Sequence, residues 1–241
     1  MSNKVLVVSG DSYALPIEGL GEITNDVDYF IEHPNEFKLV MFTGGEDVTP
    51  SLYGDDSPDR MCWFNIKRDE FEREIFNVAL ENKILMTGIC RGVQFLNVMS
   101  GGKMMHHITG HTGGRDHLMQ LITGHKIVVN TLHHQMMLPP EDSILIGWSA
   151  EKLSSMYLGW HDEEVDYKGT ENEAVIFPKT RAFGVQYHPE MMKETSDGFL
   201  FYRQMVKNAL VLTWEKFIDA YTKGYDDVEK PAVFKCSRTA G

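Results

Sequence analysis

The sequence predicts an α/β protein with a doubly wound, mainly parallel sheet, helices on both faces and a small mixed or antiparallel extension. Three observations support this fold class. Short β-branched runs alternate with helical patterns in the first part of the chain. Short strand candidates then follow one another with no helix between them. A long amphipathic segment closes the pattern.

The first part of the chain contains three strand candidates and two helix candidates. In order, they are the strands KVLVV and KLVMFTGG, the helix IKRDEFEREIFNVALENK, the strand ILMTG and the helix VQFLNVMSGG. In the longer helix Phe71, Ile75, Val78 and Ala79 recur at helical spacing, which predicts that they face the core. Strands that alternate with helices in this way favour a parallel sheet covered on both faces.

The middle of the chain reads as successive short strands. The candidates are HKIVVNTL, SILIGWS, SSMYLGW, EAVIFP and RAFGVQYHPE. A single long helix is then predicted over DGFLFYRQMVKNALVLTWEKFIDAYTKG. Its buried face is expected to hold Tyr202, Met205, Val206, Ala209, Leu210, Phe217 and Ile218. We expect one catalytic domain over residues 1–224 and a C-terminal tail over residues 225–241.

Composition narrows the function classes. The 241 residues carry a formal net charge of −12, which argues against non-specific binding to nucleic acid or to an anionic membrane. The three cysteines are widely spaced and do not suggest a disulfide framework. Because the N-terminal apolar run is short, we expect no targeting segment and a cytoplasmic location.

One cysteine stands between two glycines at a strand-to-helix junction, in Gly88-Ile89-Cys90-Arg91-Gly92. A turn this sharp strains its central residue and needs small neighbours, as in a nucleophile elbow. The junction would also place the sulfur at a helix N-terminus, which favours a thiolate. A buried structural cysteine is the alternative, but the two glycines favour a catalytic nucleophile.

A cysteine nucleophile needs a base, and the base needs an orienting group. In GVQYHPE, His188 and Glu190 are two residues apart at the end of a strand candidate, so they share one side of an extended chain. Pro189 disfavours a helical conformation at His188. Glu190 could therefore hold one ring nitrogen while the other faces a thiol, although a surface turn would explain the same residues.

A third segment, FTGGEDV, places Gly44 and Gly45 directly after a strand candidate. The main-chain N–H groups of Gly45 and Arg91 could together form an oxyanion hole. Taken alone, the two glycines would be an ordinary turn. Because all three segments occur in one chain, the catalytic interpretation of each is favoured over an ordinary turn.

In their order along the chain, these segments resemble the class I glutamine amidotransferase superfamily, and most closely its γ-glutamyl hydrolase branch, which includes the γ-glutamyl-γ-aminobutyrate hydrolases. The resemblance runs from Thr43 to Glu190. It covers GGEDVTPSLYG, RDEFE, GICRGVQFLNVMSGG, VVNTLHHQMM and FGVQYHPE. It implies the flavodoxin-like fold of that superfamily. The segment between Ser9 and Gly44 is shorter than is usual in the branch, which leaves the leaving-group side of the pocket undefined.

The resemblance also implies roles for the residues in these motifs. Cys90 would attack a γ-glutamyl carbonyl, Gly45 and Arg91 would stabilise the oxyanion, and His188, oriented by Glu190, would transfer the proton. The substrate-binding residues implied are Gly44, Gln94, His133 and His134. Water would then release glutamate, and no cofactor is needed. The expected partners are a small-molecule γ-glutamyl substrate and either a second copy of the chain or a synthetase.

Two other functions remain open. A glutaminase subunit could pass ammonia to a separate synthetase. However, Arg91 follows the cysteine as in the hydrolase branch, where ammonia-transferring members usually have leucine. A non-catalytic binding protein on this fold is the other alternative, and the intact Cys90, His188 and Glu190 argue against it.

The remaining histidines raise the question of a metal. His106, His107, His111, His117 and His125 are interpreted as loop and pocket-rim residues. No metal is expected, because neither an H-E-x-x-H nor a C-x-x-C spacing is present.

Overall fold

The computed structural model describes residues 3–55 and 61–223. Nine of its strands form one sheet in the order β2-β1-β3-β4-β13-β12-β10-β7-β8, and the other four form two small pairs, β11-β6 and β5-β9. The strands are β1 Lys4–Val8, β2 Glu22–Thr24, β3 Phe37–Phe42, β4 Leu85–Ile89, β5 Lys103–Met105, β6 His107–Ile108, β7 Arg115–Leu121, β8 Lys126–Thr131, β9 Met136–Leu138, β10 Ile144–Ser149, β11 Tyr157–Leu158, β12 Asn172–Phe177 and β13 Ala182–Val185.

One half of the large sheet is parallel and the other is antiparallel. Strands β2, β1, β3, β4 and β13 pair in parallel. From β13 outward every pairing is antiparallel, through β12, β10, β7 and β8. This confirms the predicted fold class, with an extension of four strands. The sequence did not mark β7, because its polar residues, RDHLMQL, lack the apolar run of a buried strand.

Helices cover both faces of the sheet. They are α1 Val27–Glu32, α2 Ile66–Glu81, α3 Arg91–Met99, α4 Asp197–Val211 and α5 Trp214–Thr222. Alternate residues of each parallel strand face opposite layers, as in β1, where Leu6 packs with the helices α2 and α3 and Val7 packs with α4 and α5. This two-sided burial explains why the parallel strands are continuous apolar runs.

The buried face of helix α2 only partly matches the predicted one. Ile75 and Ala79 are buried as expected, but Phe71 is 42% exposed. Asp69 and Glu72 are buried instead, because both carboxylates bind an arginine of the neighbouring helix α3. Apolar spacing could not indicate this, since a paired charge can occupy a core position that is otherwise apolar.

The predicted long closing helix is wrong: the segment forms two helices, α4 and α5. Leu212 and Thr213 have extended backbone angles, and the Thr213 hydroxyl accepts a hydrogen bond from the Lys216 N–H at 3.4 Å. A threonine N-cap thus begins a second helix inside one periodic run. The buried residues are largely as predicted, including Tyr202, Met205 and Phe217.

The tail predicted over residues 225–241 lies outside the described residues. In residues 3–55 and 61–223, no helix combines the length and apolar character needed to cross a membrane.

Candidate active site

Cys90 lies at the junction of β4 and α3 in a strained conformation, with φ 50° and ψ −113°. The flanking glycines allow the sharp turn. A Cβ on Gly88 would lie 2.4 Å from the Val93 nitrogen, and one on Gly92 would lie 2.1 Å from the Phe42 carbonyl oxygen. A side chain at Gly88 would force β4 and α3 apart, and one at Gly92 would force α3 away from β3. The two glycines therefore hold the sulfur at the helix N-terminus, where a sharp turn was predicted.

Three side chains converge at this turn. The Cys90 thiol lies close enough to the His188 imidazole to raise the pKa of that ring. On the other side of the ring, His188 Nδ1 lies 2.6 Å from Glu190 Oε1. Burial alone would lower the pKa of His188, but the hydrogen bonds and negative charges of Cys90 and Glu190 raise it to about 10. The arrangement therefore favours an imidazolium beside the sulfur.

The main chain of His188 is fixed by a side chain from the antiparallel extension. Asn130 in β8 accepts a hydrogen bond from the His188 N–H at 2.8 Å and donates one to the His188 carbonyl at 2.9 Å. The resemblance marked Asn130 as part of a motif but gave it no task. The structure places it as the residue that fixes the position of His188.

The double-glycine loop is held beside Cys90 by Arg68. Arg68 Nη2 donates to the carbonyls of Thr43 and Gly44 at 3.1 and 2.9 Å, and its other nitrogens bind Glu46 and Glu72. Gly45 has φ 140°, and a Cβ there would lie 2.0 Å from Arg68 Nη1. Only glycine fits this approach.

Arg91 has separate roles for its main chain and its side chain. As the first residue of α3, its N–H has no partner within the helix. Its guanidinium is buried and forms ion pairs with Asp69 and Glu72. Asp69 also accepts the Thr49 N–H at 2.9 Å, and Glu72 also pairs with Arg68. The ion pairs thus join the nucleophile turn to the loop that bears Gly45.

A cavity of about 150 Å³ opens beside Cys90. This is below the usual range for drug-sized ligands, so it suits one small acyl group. Its lining residues are Gly45, Glu46, Asp47, Trp63, Cys90, Arg91, Gln94, Leu132, His133, His134 and Gln135. A larger cavity of about 570 Å³, between Tyr53, Met105 and Trp160, has no cysteine, serine or threonine among its lining residues.

The profile of the family described as Peptidase C26 matches residues 15–190. The chain belongs to the Peptidase C26 family. The match ends at Glu190, the last residue of the motif series, and includes every predicted site residue.

Other comparisons agree with this membership. The glutamine amidotransferase-like protein YvdE of Lactococcus lactis subsp. lactis is 28% identical over 164 residues, which are 65% of this chain and 67% of the relative. A carbamoyl phosphate synthase small chain of Aquifex aeolicus is 30% identical over 158 residues, 64% of this chain and 38% of the relative. A solved glutamine amidotransferase of Thermotoga maritima has the same fold, with a TM-score of 0.55, 15% identity and coverage of 94% of this chain and 85% of that one.

Most of the predicted substrate-binding residues of this C26 protein line the cavity, but some of their polar atoms already form hydrogen bonds within the protein. Gln94 uses its amide nitrogen within the protein, at 3.3 Å from the Gln135 carbonyl and 3.1 Å from Gln186 Oε1. His134 lies at the rim, with Nε2 3.1 Å from Asp47 Oδ1. Gly44 is not among the lining residues, since its carbonyl faces Arg68.

Tyr13, from the front of the chain, lies near His188 and Gly44. It belongs to the short 3₁₀ segment Asp11–Ile17, and its hydroxyl lies against Gly44. Its ring centroid is 6.2 Å from that of His188. Burial, followed by the negative charges of Glu190 and Cys90, raises the pKa of Tyr13 to about 12, which keeps the phenol protonated. The abbreviated front of the chain therefore still contributes a side chain beside the base.

The interpretation of the extra histidines as loop and pocket-rim residues is wrong for His107 and His117, which lie in the strands β6 and β7. His106 and His111 do lie in loops, but they are almost fully buried rather than at a rim. His117 Nε2 lies 3.1 Å from Glu173 Oε1. His111, His133 and Glu173 also bring three ligand atoms within 4.8 Å of one another. Sequence spacing could not indicate this group, because its members come from three separate segments.

We predict that Arg91→Met lowers the free energy of unfolding by about 3–5 kcal/mol, because it leaves Asp69 and Glu72 as uncompensated buried charges. Urea denaturation followed by circular dichroism measures the change. The matched control is Lys168→Met, which removes an exposed ion pair with Asp166 and should have no measurable effect. A loss below about 1 kcal/mol for Arg91→Met would contradict the proposed contribution of these two ion pairs to stability.

Proposed function

We propose that this protein hydrolyses a γ-glutamyl amide, releasing glutamate and an amine through a thioester on Cys90. The single observation that carries the proposal is the contact series from Cys90 to His188 to Glu190 at the mouth of a small cavity. Membership of the C26 family supports cysteine-dependent amide hydrolysis in general. The γ-glutamyl specificity rests on the motif resemblance and on the size of the cavity.

The proposed reaction has two halves. His188 takes the proton of the Cys90 thiol as the sulfur attacks the amide carbonyl carbon, and the oxyanion accepts hydrogen bonds from the N–H groups of Gly45 and Arg91. The C–N bond then breaks while His188 gives its proton to the leaving nitrogen. In the second half His188 takes a proton from water, the hydroxide attacks the thioester carbon, and the C–S bond breaks. Glutamate leaves and the thiol is restored.

The leaving amine must stand beside His188 to receive its proton. The Tyr13 ring centroid is 6.2 Å from that of His188, so we infer that a substituted amine would pack against Tyr13. Glu46 and Asp47 line the cavity beside Cys90 and add negative charge. A second amine on the leaving group would therefore meet a favourable environment.

The second candidate function is a glutaminase that delivers ammonia to a synthetase. The observation in its favour is the similarity to a carbamoyl phosphate synthase small chain. The residue after Cys90 argues against it, because ammonia-transferring members usually have leucine there. In this chain the residue is Arg91, whose guanidinium binds Asp69 and Glu72. The two functions differ in the leaving group that the isolated protein accepts.

We predict that the isolated protein hydrolyses at least one γ-glutamyl amide larger than glutamine, with kcat/KM above that for glutamine. The test compares glutamine, γ-glutamyl-γ-aminobutyrate and γ-glutamyl-putrescine in steady-state assays of glutamate release. Near inertness towards all three, with glutaminase activity restored by a synthetase, would establish the second candidate instead.

A further inference from the structure

The group formed by His111, His133 and Glu173 lies behind the substrate cavity and is not used in the proposed reaction. The side chains of these residues are 0%, 2% and 0% exposed. Glu173 Oε1 lies 3.5 Å from His111 Nδ1 and 3.7 Å from His133 Nε2. Of the described residues, none donates a hydrogen bond to His133 Nε2 or to Glu173 Oε2. Buried polar atoms without partners are costly and call for an explanation.

The tautomer of His111 follows from its outer partner. Its Nε2 lies 2.8 Å from Glu171 Oε2. Glu171 also accepts hydrogen bonds from the N–H groups of Leu153 and Ser154 and from the Tyr157 hydroxyl, as a carboxylate does. A carboxylate only accepts, so Nε2 of His111 carries the proton, and in that tautomer Nδ1 presents a lone pair to Glu173.

Thr131 does not supply a proton to that lone pair. Its hydroxyl lies 3.1 Å from His111 Nδ1 but also donates to the His111 carbonyl at 2.9 Å. A hydroxyl has one hydrogen, and the carbonyl takes it. Nδ1 of His111 is therefore left facing Glu173 with no donor between them.

His133 is oriented in the same way by a different acceptor. Its Nδ1 lies 2.8 Å from the Gln135 carbonyl oxygen, so Nδ1 carries the proton and Nε2 presents a lone pair. Two lone pairs and a carboxylate thus converge in a buried space.

We propose that His111, His133 and Glu173 bind a divalent transition-metal ion, with Zn²⁺ as the best match. Two imidazole nitrogens and one carboxylate oxygen form a ligand set that zinc accepts. Zinc–ligand bonds of about 2.0–2.1 Å place tetrahedral ligand atoms roughly 3.3–3.4 Å apart. The separations of 3.5 and 3.7 Å therefore need only small shifts.

The surroundings match a metal site beyond the three ligands. Histidine ligands usually donate their other N–H to a carboxylate or a carbonyl, as His111 does to Glu171 and His133 to Gln135. His117 Nε2 lies 3.1 Å from Glu173 and steadies its carboxylate. The three ligands come from the segment after β6, the segment after β8 and β12. A bound ion would therefore fix the loop of residues 132–135, which lines the substrate cavity.

The test measures metal binding on a Cys90→Ser background, which removes the active-site thiol as a competing ligand. Purified protein is stripped with a chelator and titrated with Zn²⁺ and Co²⁺, and the bound metal is quantified by mass spectrometry. We expect about one ion per chain and a Co²⁺ spectrum with d–d bands but no sulfur charge-transfer band. Adding Glu173→Gln should weaken binding by at least about 10²-fold, whereas His125→Ala, at an exposed histidine, should leave it unchanged.

The result is independent of amide hydrolysis, so a failure of the proposed reaction would not affect it. The proposal is overturned if the Cys90→Ser protein binds Zn²⁺ no more tightly than the Glu173→Gln variant, since the group is then only a hydrogen-bond network. A sulfur charge-transfer band would also overturn it. If Glu173→Gln does not fold, X-ray absorption on the zinc-loaded Cys90→Ser protein decides: a nitrogen and oxygen shell with imidazole scattering supports the site, and any other shell rejects it.

Discussion

Replacing Cys90 by alanine is expected to reduce γ-glutamyl amide cleavage by at least about 10⁴-fold while the fold survives. The substitution removes the thiol that lies beside His188, so the thioester route is lost altogether. Alanine keeps the Cβ and removes one buried sulfur, so it fits the turn between Gly88 and Gly92. Glutamate release and circular dichroism of the same sample separate loss of chemistry from loss of fold.

Cys62 offers a matched control. It is also a buried cysteine, but its sulfur lies 3.3 Å from the Gln135 amide nitrogen and 3.9 Å from the Val48 carbonyl rather than beside His188. Cys62→Ala should therefore retain activity. The assignment would be refuted by full activity in Cys90→Ala, or by inactivation with iodoacetamide that follows the labelling of Cys62.

The sharp turn at Cys90 could be predicted from sequence because it depends only on neighbouring residues. A strained residue between two close backbones requires glycine on each side, and both glycines lie within the five residues from Gly88 to Gly92. The same holds for His188 and Glu190, which an extended chain places on one side. Local geometry also predicted β1, β3, β4 and β13 of the parallel half, since burial on both faces leaves a continuous apolar run. It did not predict the edge strand β2, whose three residues are not buried.

Other parts of the site depend on contacts that local patterns do not contain. Asp69 and Glu72 occupy buried positions of α2 only because Arg91 reaches them from another helix. Asn130 fixes His188 across the sheet, from a segment 58 positions away. The buried histidines are brought together by the antiparallel extension, whose polar strand β7 gave no strand signal. Contacts between segments that are distant in sequence determine these features, so the pattern of apolar residues could not predict them.

Replacing His188 by alanine is expected to lower kcat/KM by about a thousandfold or more, since the base and the nucleophile act as one unit. Glu190→Gln should cost less, because the Asn130 bonds to the His188 main chain remain and the ring keeps most of its orientation. The exposed His33→Ala is the control and should match the wild type. Steady-state rates across a pH series measure all four proteins.

The pH series tests the origin of this effect. Hydrogen bonds and charges from Cys90 and Glu190 outweigh burial and raise the pKa of His188 to about 10, so the imidazolium persists until the pH approaches that value. Cys90 and Glu190 stabilise the fold by binding the charged His188 ring. This contribution is complete below the unfolded pKa of histidine, about 6.5, and is lost as the pH rises through about 10. Glu190→Gln removes one of the groups that raise the pKa, so the alkaline limb of its kcat/KM profile should move to lower pH. A profile that His188→Ala leaves unchanged would refute the role of His188 as the base, because no titration of the ring would then be limiting the rate.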